Sequence, residues 1–156
     1  MNSSSFVSKF NSSTGHCMNK PVTAVVEIKI PFHDTDPMGV VWHGNYFRYF
    51  EVARCQLLDQ IDYNYRTMTE SGYTWPVVDT RVKYLRSAFF EQVVTVTATL
   101  AEYENRLKLN YEIRNSEAEI ITKGYTIQVA VDNSSGEMCY RSPAVLFEKL
   151  SLEPPE

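Results

Sequence analysis

The chain of 156 residues has few cysteines, no long apolar run and no excess of positive charge. Cys17, Cys55 and Cys139 are odd in number, far apart and without a CxxC pair, which argues against a disulfide framework. No apolar run approaches the roughly 18 residues of a membrane span. The N-terminus also lacks the basic start and apolar core of a secretory signal. We therefore expect a cytoplasmic protein with no membrane span.

The charge balance narrows the choice of partners. Asp and Glu number 19 and Lys and Arg 15, a formal net charge of −4 at pH 7. Proteins that bind nucleic acid usually carry a basic surface, so we predict no nucleic-acid partner. The net charge still allows a local basic patch for a phosphorylated small molecule.

The length favours one domain. Residues 1–20 are rich in Ser and Asn and lack apolar periodicity, so they are predicted to be a flexible N-terminal tail. Residues 21–151 are assigned to the domain and residues 152–156 to a C-terminal tail.

Apolar periodicity predicts the element order β–α–β–β–β–β. Alternation over residues 22–32 indicates the first strand, and spacings of three and four indicate a helix over residues 45–61. The apolar stripe of that helix comprises Tyr46, Phe47, Phe50, Ala53, Leu57, Leu58 and Ile61. Residues 63–74 are interpreted as a polar connection, and residues 143–150 as a short terminal helix. The apolar face of the last strand is predicted to comprise Ile121, Tyr125, Ile127, Val129 and Val131.

These elements indicate an α+β domain in which one long helix lies on one antiparallel sheet. A single helix covers only one face of a sheet. Because each strand carries several apolar or aromatic residues, the uncovered face predicts self-association.

Residues 33–46, HDTDPMGVVWHGNY, hold two carboxylates and two imidazoles just before the long helix. The unpaired N–H groups at a helix N-terminus can stabilise an oxyanion, and a nearby carboxylate can attack a carbonyl or activate water. The D-x-D-P-x-G pattern is also ordinary turn chemistry, so the residues alone leave both interpretations open. The spacing of His33, Asp34, Asp36 and His43 fits no standard zinc or calcium pattern. We predict neither a metal nor another cofactor.

Residues 32–54, with D-T-D-P-x-G-V-V-x-H-x-x-Y followed by F-E-x-A-R, strongly resemble the 4-hydroxybenzoyl-CoA thioesterase family. The likeness is greatest to its small bacterial acyl-CoA thioesterases, including the Tol–Pal-associated type. It extends over roughly residues 22–150. It implies a hotdog fold, in which a curved antiparallel sheet wraps around one long central helix, and hydrolysis of an acyl-CoA thioester.

The resemblance assigns roles to single residues. Asp36 corresponds to the catalytic carboxylate, as nucleophile or general base. His43 corresponds to the position whose backbone N–H stabilises the oxyanion, and its side chain is a second catalytic candidate. Tyr46 corresponds to a wall of the acyl site. Asp34 is interpreted as structural. Glu51 is predicted to form a surface ion pair with Arg54 and is the alternative candidate for the catalytic carboxylate.

Coenzyme A carries phosphates, so an acidic enzyme needs local cations to bind it. Arg81, Lys83, Arg86 and Arg106 are the predicted substrate-binding residues. The 4-hydroxybenzoyl enzyme has a cationic cluster at the hairpin of Arg106, where this chain has Glu104 and Asn105. An acyl-carrier-protein thioester is therefore an open alternative to acyl-CoA.

The resemblance also implies a homodimer or homotetramer with the active site at the subunit interface. A non-catalytic module that senses acyl-CoA or binds a partner is the alternative function. The presence of both Asp36 and His43 argues against that alternative. Dehydratase chemistry requires a different arrangement of acid and His on the helix, which the sequence lacks.

Overall fold

The computed structural model describes residues 20–156, and its centre is a five-stranded antiparallel sheet. Its strands are β1 (Thr23–Lys29), β3 (Val77–Tyr84), β4 (Val93–Glu102), β5 (Leu107–Arg114) and β6 (Ile120–Gln128). They lie in the order β1-β4-β5-β6-β3, so β1 and β3 form the two edges. The predicted α+β class and the order of the main elements are confirmed.

The long helix α1 (Tyr46–Gln60) covers one face of this sheet. Phe50 stacks on Tyr111 of β5 at a ring-centroid distance of 4.4 Å, and a β-carbon at Gly124 of β6 would lie 2.7 Å from the Phe50 ring. Glycine on β6 therefore makes room for the helix. The predicted apolar stripe is buried except at Phe47, whose exposure is 43% because it faces the open edge at β3.

The predicted apolar face of the last strand was wrong except at Ile121, which is 1% exposed and belongs to the core. In the register of β6 with β5, the residues opposite the buried side chains of β5 are Thr122, Gly124, Thr126 and Gln128. Tyr125 and Ile127 lie on the opposite face, and Val129 lies beyond the end of the strand. Two of the polar residues make specific bonds: the Thr126 hydroxyl bonds the Tyr111 hydroxyl at 2.8 Å, and the amide of Gln128 donates to the Trp75 carbonyl at 2.7 Å. The Thr122 hydroxyl meets no partner among the described residues.

Residues 63–74 are more ordered than a polar connection. They contain helix α2 (Tyr65–Glu70) and strand β2 (Tyr73–Thr74), and β2 pairs with β7 (Val131–Asp132). The side chain of Asn64 caps α2 by accepting from the N–H of Thr67 at 3.0 Å. Helix α3 (Ala144–Lys149) confirms the predicted terminal helix.

The face of the sheet away from α1 is polar where β4 and β5 pair, and it carries Thr95, Thr97, Thr99, Asn110 and Glu112. The apolar outer surface expected from the sequence is therefore not present there. Exposed apolar side chains are found instead around the loop before α1 and along β3, at Met38, Trp42, Val77, Val78 and Leu85. Across residues 20–156, no helix has the length and apolar character needed to cross a membrane. The predicted tail lies outside these residues except for Lys20.

Candidate active site

A tight turn precedes α1 and orients Asp36. The N–H of Asp36 donates to the Val40 carbonyl at 2.8 Å, and the N–H of Gly39 donates to the Asp36 carbonyl at 2.9 Å. Gly39 has φ +77°, a conformation that favours glycine. One carboxylate oxygen of Asp36, Oδ1, accepts from the N–H of Met38 at 2.8 Å. The other, Oδ2, meets no donor among residues 20–156, so this half-buried side chain keeps a free oxygen.

A short 3₁₀ turn, His43–Asn45, leads into α1 and exposes backbone donors. Trp42 precedes this turn, and its side chain makes no capping hydrogen bond to it. Within the described part of the chain, the N–H groups of His43 and Gly44 meet no acceptor. A β-carbon at Gly44 would overlap the exposed Trp42 indole, so any side chain at this position would require the indole to move. Free N–H groups at the start of a helix favour negative charge.

Asp34 fastens the loop to the helix. Its side chain is 3% exposed, accepts from the Tyr49 hydroxyl at 2.6 Å and pairs with the guanidinium of Arg48. Its carbonyl accepts from the Trp42 N–H and from the Asn45 side-chain amide, both at 2.9 Å. These four bonds fix both ends of the segment that carries Asp36.

Electrostatics at the anchor favour the ionised aspartate. Burial raises the pKa of the Asp34 carboxyl, but hydrogen bonds from Arg48 and Tyr49 and the charge of Arg48 outweigh it, so the pKa lies below its ordinary value. Burial and the hydrogen bond to Asp34 raise the pKa of the Tyr49 phenol. Asp34 is therefore a permanent anion at neutral pH.

A cavity of about 340 Å³ lies between the loop and the end of β3. Four of the sequence-predicted site residues line it, namely Asp36, His43, Tyr46 and Arg86. The remaining wall residues are Met38, Val40, Val41, Tyr84, Leu85 and Ser87. A carboxylate, the start of a helix and an aromatic wall thus meet in one concave site.

Sequence reasoning missed Tyr84. Its hydroxyl donates to the His43 carbonyl at 2.6 Å, and its ring packs against Tyr46 with centroids 5.0 Å apart. The bond ties the 3₁₀ turn to β3 and so helps to shape the cavity. The apolar alternation of the sequence predicts that Tyr84 lies on a strand. It does not predict that the end of this strand packs against the loop before α1.

Three of the predicted cationic residues lie away from this cavity within the chain. Arg81 and Lys83 pair in register with Tyr125 and Lys123, on the sheet face away from α1. Arg106 binds Glu102 through Nε at 2.6 Å and Nη2 at 3.1 Å, at the end of the sheet opposite the cavity. Among residues 20–156, no group of three or more His, Cys, Asp or Glu side chains is arranged to hold a metal ion.

Comparison with known proteins identifies the family of this chain. Residues 30–154 match the family model described as the thioesterase-like superfamily. The chain is 29% identical over 110 residues to the putative acyl-CoA thioesterase YneP of Bacillus subtilis, an alignment covering 70% of this chain and 80% of the relative.

Solved structures agree with the fold. The DHNA-CoA thioesterase of Staphylococcus aureus superposes with a TM-score of 0.70 at 32% identity, covering 76% of this chain and 80% of that one. A 4-hydroxybenzoyl-CoA thioesterase mutant complexed with 4-hydroxybenzoyl-CoA superposes with a TM-score of 0.72 at 20% identity, covering 82% and 98%. The predictions of a hotdog fold and a thioester hydrolase are confirmed, and the chain belongs to the thioesterase-like superfamily.

Proposed function

We propose that the chain hydrolyses an acyl-CoA thioester to the free acid and coenzyme A, with Asp36 acting on the carbonyl carbon. The free oxygen of Asp36 in a cavity that also holds the start of the 3₁₀ turn is the observation that carries this proposal. The acyl-CoA thioesterases among its relatives support the substrate class.

The chemistry follows from this placement. As a general base, Asp36 removes a proton from water, whose oxygen adds to the carbonyl carbon while the carbonyl oxygen becomes an oxyanion. The N–H groups of His43 and Gly44 stabilise that oxyanion. Its collapse breaks the C–S bond, and the thiolate leaves and takes up a proton. As a nucleophile, Asp36 instead attacks the carbonyl carbon and expels the coenzyme A thiolate, and water then hydrolyses the resulting mixed anhydride and frees the carboxylate.

The cation at the cavity is Arg86, which is 62% exposed and only loosely paired with Glu119 at 3.7 Å. We assign to it the first contact with the phosphates of coenzyme A. Arg81, Lys83 and Arg106 would need to act from another subunit or at the periphery of the site. Arg106 is already paired with Glu102, and this keeps an acyl-carrier-protein thioester as the alternative substrate.

A second copy of the chain would complete the site. Strand β3 is an edge strand whose outer side has no partner in the described chain, and the exposed Val77, Val78 and Leu85 lie along it or just beyond it. Unpaired edges with apolar side chains are ready to pair. A homodimer joined at β3, or a homotetramer built from it, would place the cavity at the subunit interface. The cytoplasmic location stays a prediction.

The test is release of free thiol from a panel of acyl-CoAs, followed with a thiol-reactive dye. Asp36→Asn keeps the side-chain oxygen that accepts from Met38 but removes the charge that activates water. We expect kcat/KM to fall about a hundredfold or more, which is a loss of about 2.7 kcal/mol of transition-state stabilisation.

Asp59→Asn, the same substitution at an exposed position of α1, is the matched control and should keep full activity. The alternative function is a non-catalytic module that binds acyl-CoA. That alternative predicts binding of acyl-CoA without thiol release by the wild type. Normal turnover by Asp36→Asn would contradict the assigned role.

A further inference from the structure

Tyr84 joins the end of β3 to the backbone of the 3₁₀ turn before α1. Its hydroxyl donates to the His43 carbonyl at 2.6 Å, near the short end of the range for O–H···O bonds. Burial raises the pKa of the Tyr84 phenol, so the hydroxyl keeps its proton and stays a donor at neutral pH. None of the proposed steps of hydrolysis uses this bond.

The end of β3 is a firm support for the Tyr84 hydroxyl. Tyr84 is the last residue of the strand and is paired there with β6. Directly after it, the N–H groups of Leu85 and Arg86 both donate to the Ile121 carbonyl, at 2.9 and 3.0 Å. The Tyr84 ring packs edge-on against Tyr46 of α1. The sheet and the helix therefore set the position of the hydroxyl, and the loop before α1 does not.

The bond holds one of the two peptide units that carry the proposed oxyanion donors. The His43 N–H belongs to the unit whose carbonyl, that of Trp42, accepts from the Asn45 N–H at 2.9 Å. The Gly44 N–H belongs to the next unit, whose carbonyl is that of His43. Both units are planar and trans, so a bond that holds the carbonyl also holds the direction of the N–H. The Tyr84 bond thus acts on the Gly44 donor as the Asn45 bond acts on the His43 donor.

The peptide unit at Gly44 needs such a restraint. Glycine has no β-carbon and restricts its own backbone dihedrals least among the amino acids. In the described part of the chain the Gly44 N–H meets no acceptor, so no hydrogen bond fixes the unit from that end. Stabilisation of a developing oxyanion depends on donors that are aligned before the charge forms. A side chain that holds the carbonyl end supplies this alignment.

Asp36 is the carboxylate that shares a cavity with this turn. Glu51, the alternative candidate from the sequence, does not line that cavity, and its Oε2 contacts Arg54. The predicted surface pair is wrong for Arg54, whose side chain is only 8% exposed. Asp36→Asn is therefore the background in which a bound thioester can be observed before it is hydrolysed.

We infer, resting on the proposed function, that Tyr84 is a positioning residue for the hydrolysis. Through the His43 carbonyl it aligns the backbone donors that bind the oxyanion. Because the oxyanion forms only on the way to the transition state, the loss of this alignment slows the reaction more than it weakens the binding of the substrate.

The first test removes the hydroxyl alone. Tyr84→Phe keeps the ring that packs on Tyr46. Tyr125→Phe is the matched control, because the Tyr125 hydroxyl also bonds between β6 and β3, to Asp79 at 3.4 Å, but on the sheet face away from α1. For the acyl-CoA that the wild type hydrolyses fastest, we expect Tyr84→Phe to lower kcat about tenfold with KM unchanged, since it misaligns a donor without removing it. Tyr125→Phe should change neither constant.

Two further measurements distinguish alignment of the donors from a general effect on the shape of the cavity. The S-alkyl-CoA thioether of the same chain length has no carbonyl oxygen, so Tyr84→Phe should bind it with the Kd of the wild type. Infrared difference spectra of Asp36→Asn with an acyl-CoA labelled isotopically at the thioester carbonyl report the hydrogen bonds to that oxygen. Adding Tyr84→Phe to Asp36→Asn should shift the carbonyl band to higher wavenumber, because those bonds become weaker.

The outcomes separate this inference from the proposed function. If the wild type releases thiol from no acyl-CoA, the proposed function fails, and the role of Tyr84 fails with it. If the wild type is active but Tyr84→Phe keeps its kcat, the inference alone is overturned. It is also overturned if Tyr84→Phe raises the Kd of the thioether as much as it lowers kcat/KM, or if the carbonyl band does not move.

Discussion

Two aspartates two residues apart in the loop before α1 occupy opposite environments. Asp34 is buried, with its carboxylate held by Arg48 and Tyr49. Asp36 is half-buried and keeps one carboxylate oxygen free beside a cavity. The same side chain thus serves as an anchor at position 34, and we propose that it serves as a reactive group at position 36.

The contrast between the surroundings of Asp34 and Asp36 indicates how a loop can hold a reactive group in place. Asp34 and Asn45 fix the loop to the helix, and the turn at Gly39 fixes the direction of Asp36. A catalytic carboxylate needs such support because a misplaced group loses much of its effect. Stability and catalysis should therefore divide between the two aspartates.

The largest effect on stability is expected at the anchor. Asp34→Asn removes the charge that binds Arg48 and one of the two carboxylate oxygens, which accept from Arg48 and from the Tyr49 hydroxyl. We expect the free energy of unfolding to fall by about 2 kcal/mol, measured by urea denaturation. Tyr49→Phe, which removes only one of these bonds, should cost about half as much. Equal stability of Asp34→Asn and the wild type would remove the distinction between the two aspartates.

The anchor should also show in the pH dependence of stability. Because the folded-state pKa of Asp34 lies below its ordinary value, its contribution is present above the unfolded-state pKa and is lost as the pH falls through the folded-state pKa. The difference in unfolding free energy between wild type and Asp34→Asn should therefore be constant from about pH 7 to pH 5 and shrink below about pH 4. A difference that stays constant in acid would show that Asp34 has no depressed pKa.

A smaller effect is expected at the turn that aims Asp36. Gly39 has φ +77° and open space around it, so Gly39→Ala meets no clash but places a side chain in the left-handed region. This should cost roughly 1 kcal/mol of stability. Gly39→Asn, which tolerates that conformation better, should cost less. The measurement is thermal melting with thiol-release kinetics, and indifference to both substitutions would show that the turn does not need glycine.

The sequence was sufficient for elements whose burial follows a simple period. The stripe of α1 follows the helical repeat, and the strands of the main sheet alternate as predicted, except for the last strand and the end of the first. The first strand ends at Lys29, and Phe32 lies exposed in the 3₁₀ turn that follows. Phe47 belongs to the predicted stripe but is exposed because it faces the open edge of the sheet at β3. The inner face of β6 was missed because Phe50 and Tyr111 fill the space over Gly124. This face therefore carries small and polar residues, whereas the prediction assumed that the inner face of a strand carries large apolar residues.

The part of the candidate site that was predicted is local in sequence, with Arg86 as the exception. Asp36 and His43 lie seven residues apart in one loop, so a short motif contains both. Tyr84 and Arg86 reach the cavity from the end of β3, a meeting that depends on how the sheet closes over the helix. Helix α2 was missed because its start depends on one capping bond from Asn64 rather than on an apolar stripe.

The most direct test measures both aspartates together, with thiol release from an acyl-CoA and the free energy of unfolding determined for Asp34→Asn and Asp36→Asn. The account predicts that Asp36→Asn loses about a hundredfold or more of kcat/KM while its stability stays within about 0.5 kcal/mol of the wild type. Asp34→Asn should lose stability and retain much more of the activity at a temperature where it is folded. An Asp36→Asn variant that hydrolyses thioesters at the wild-type rate would contradict the central claim.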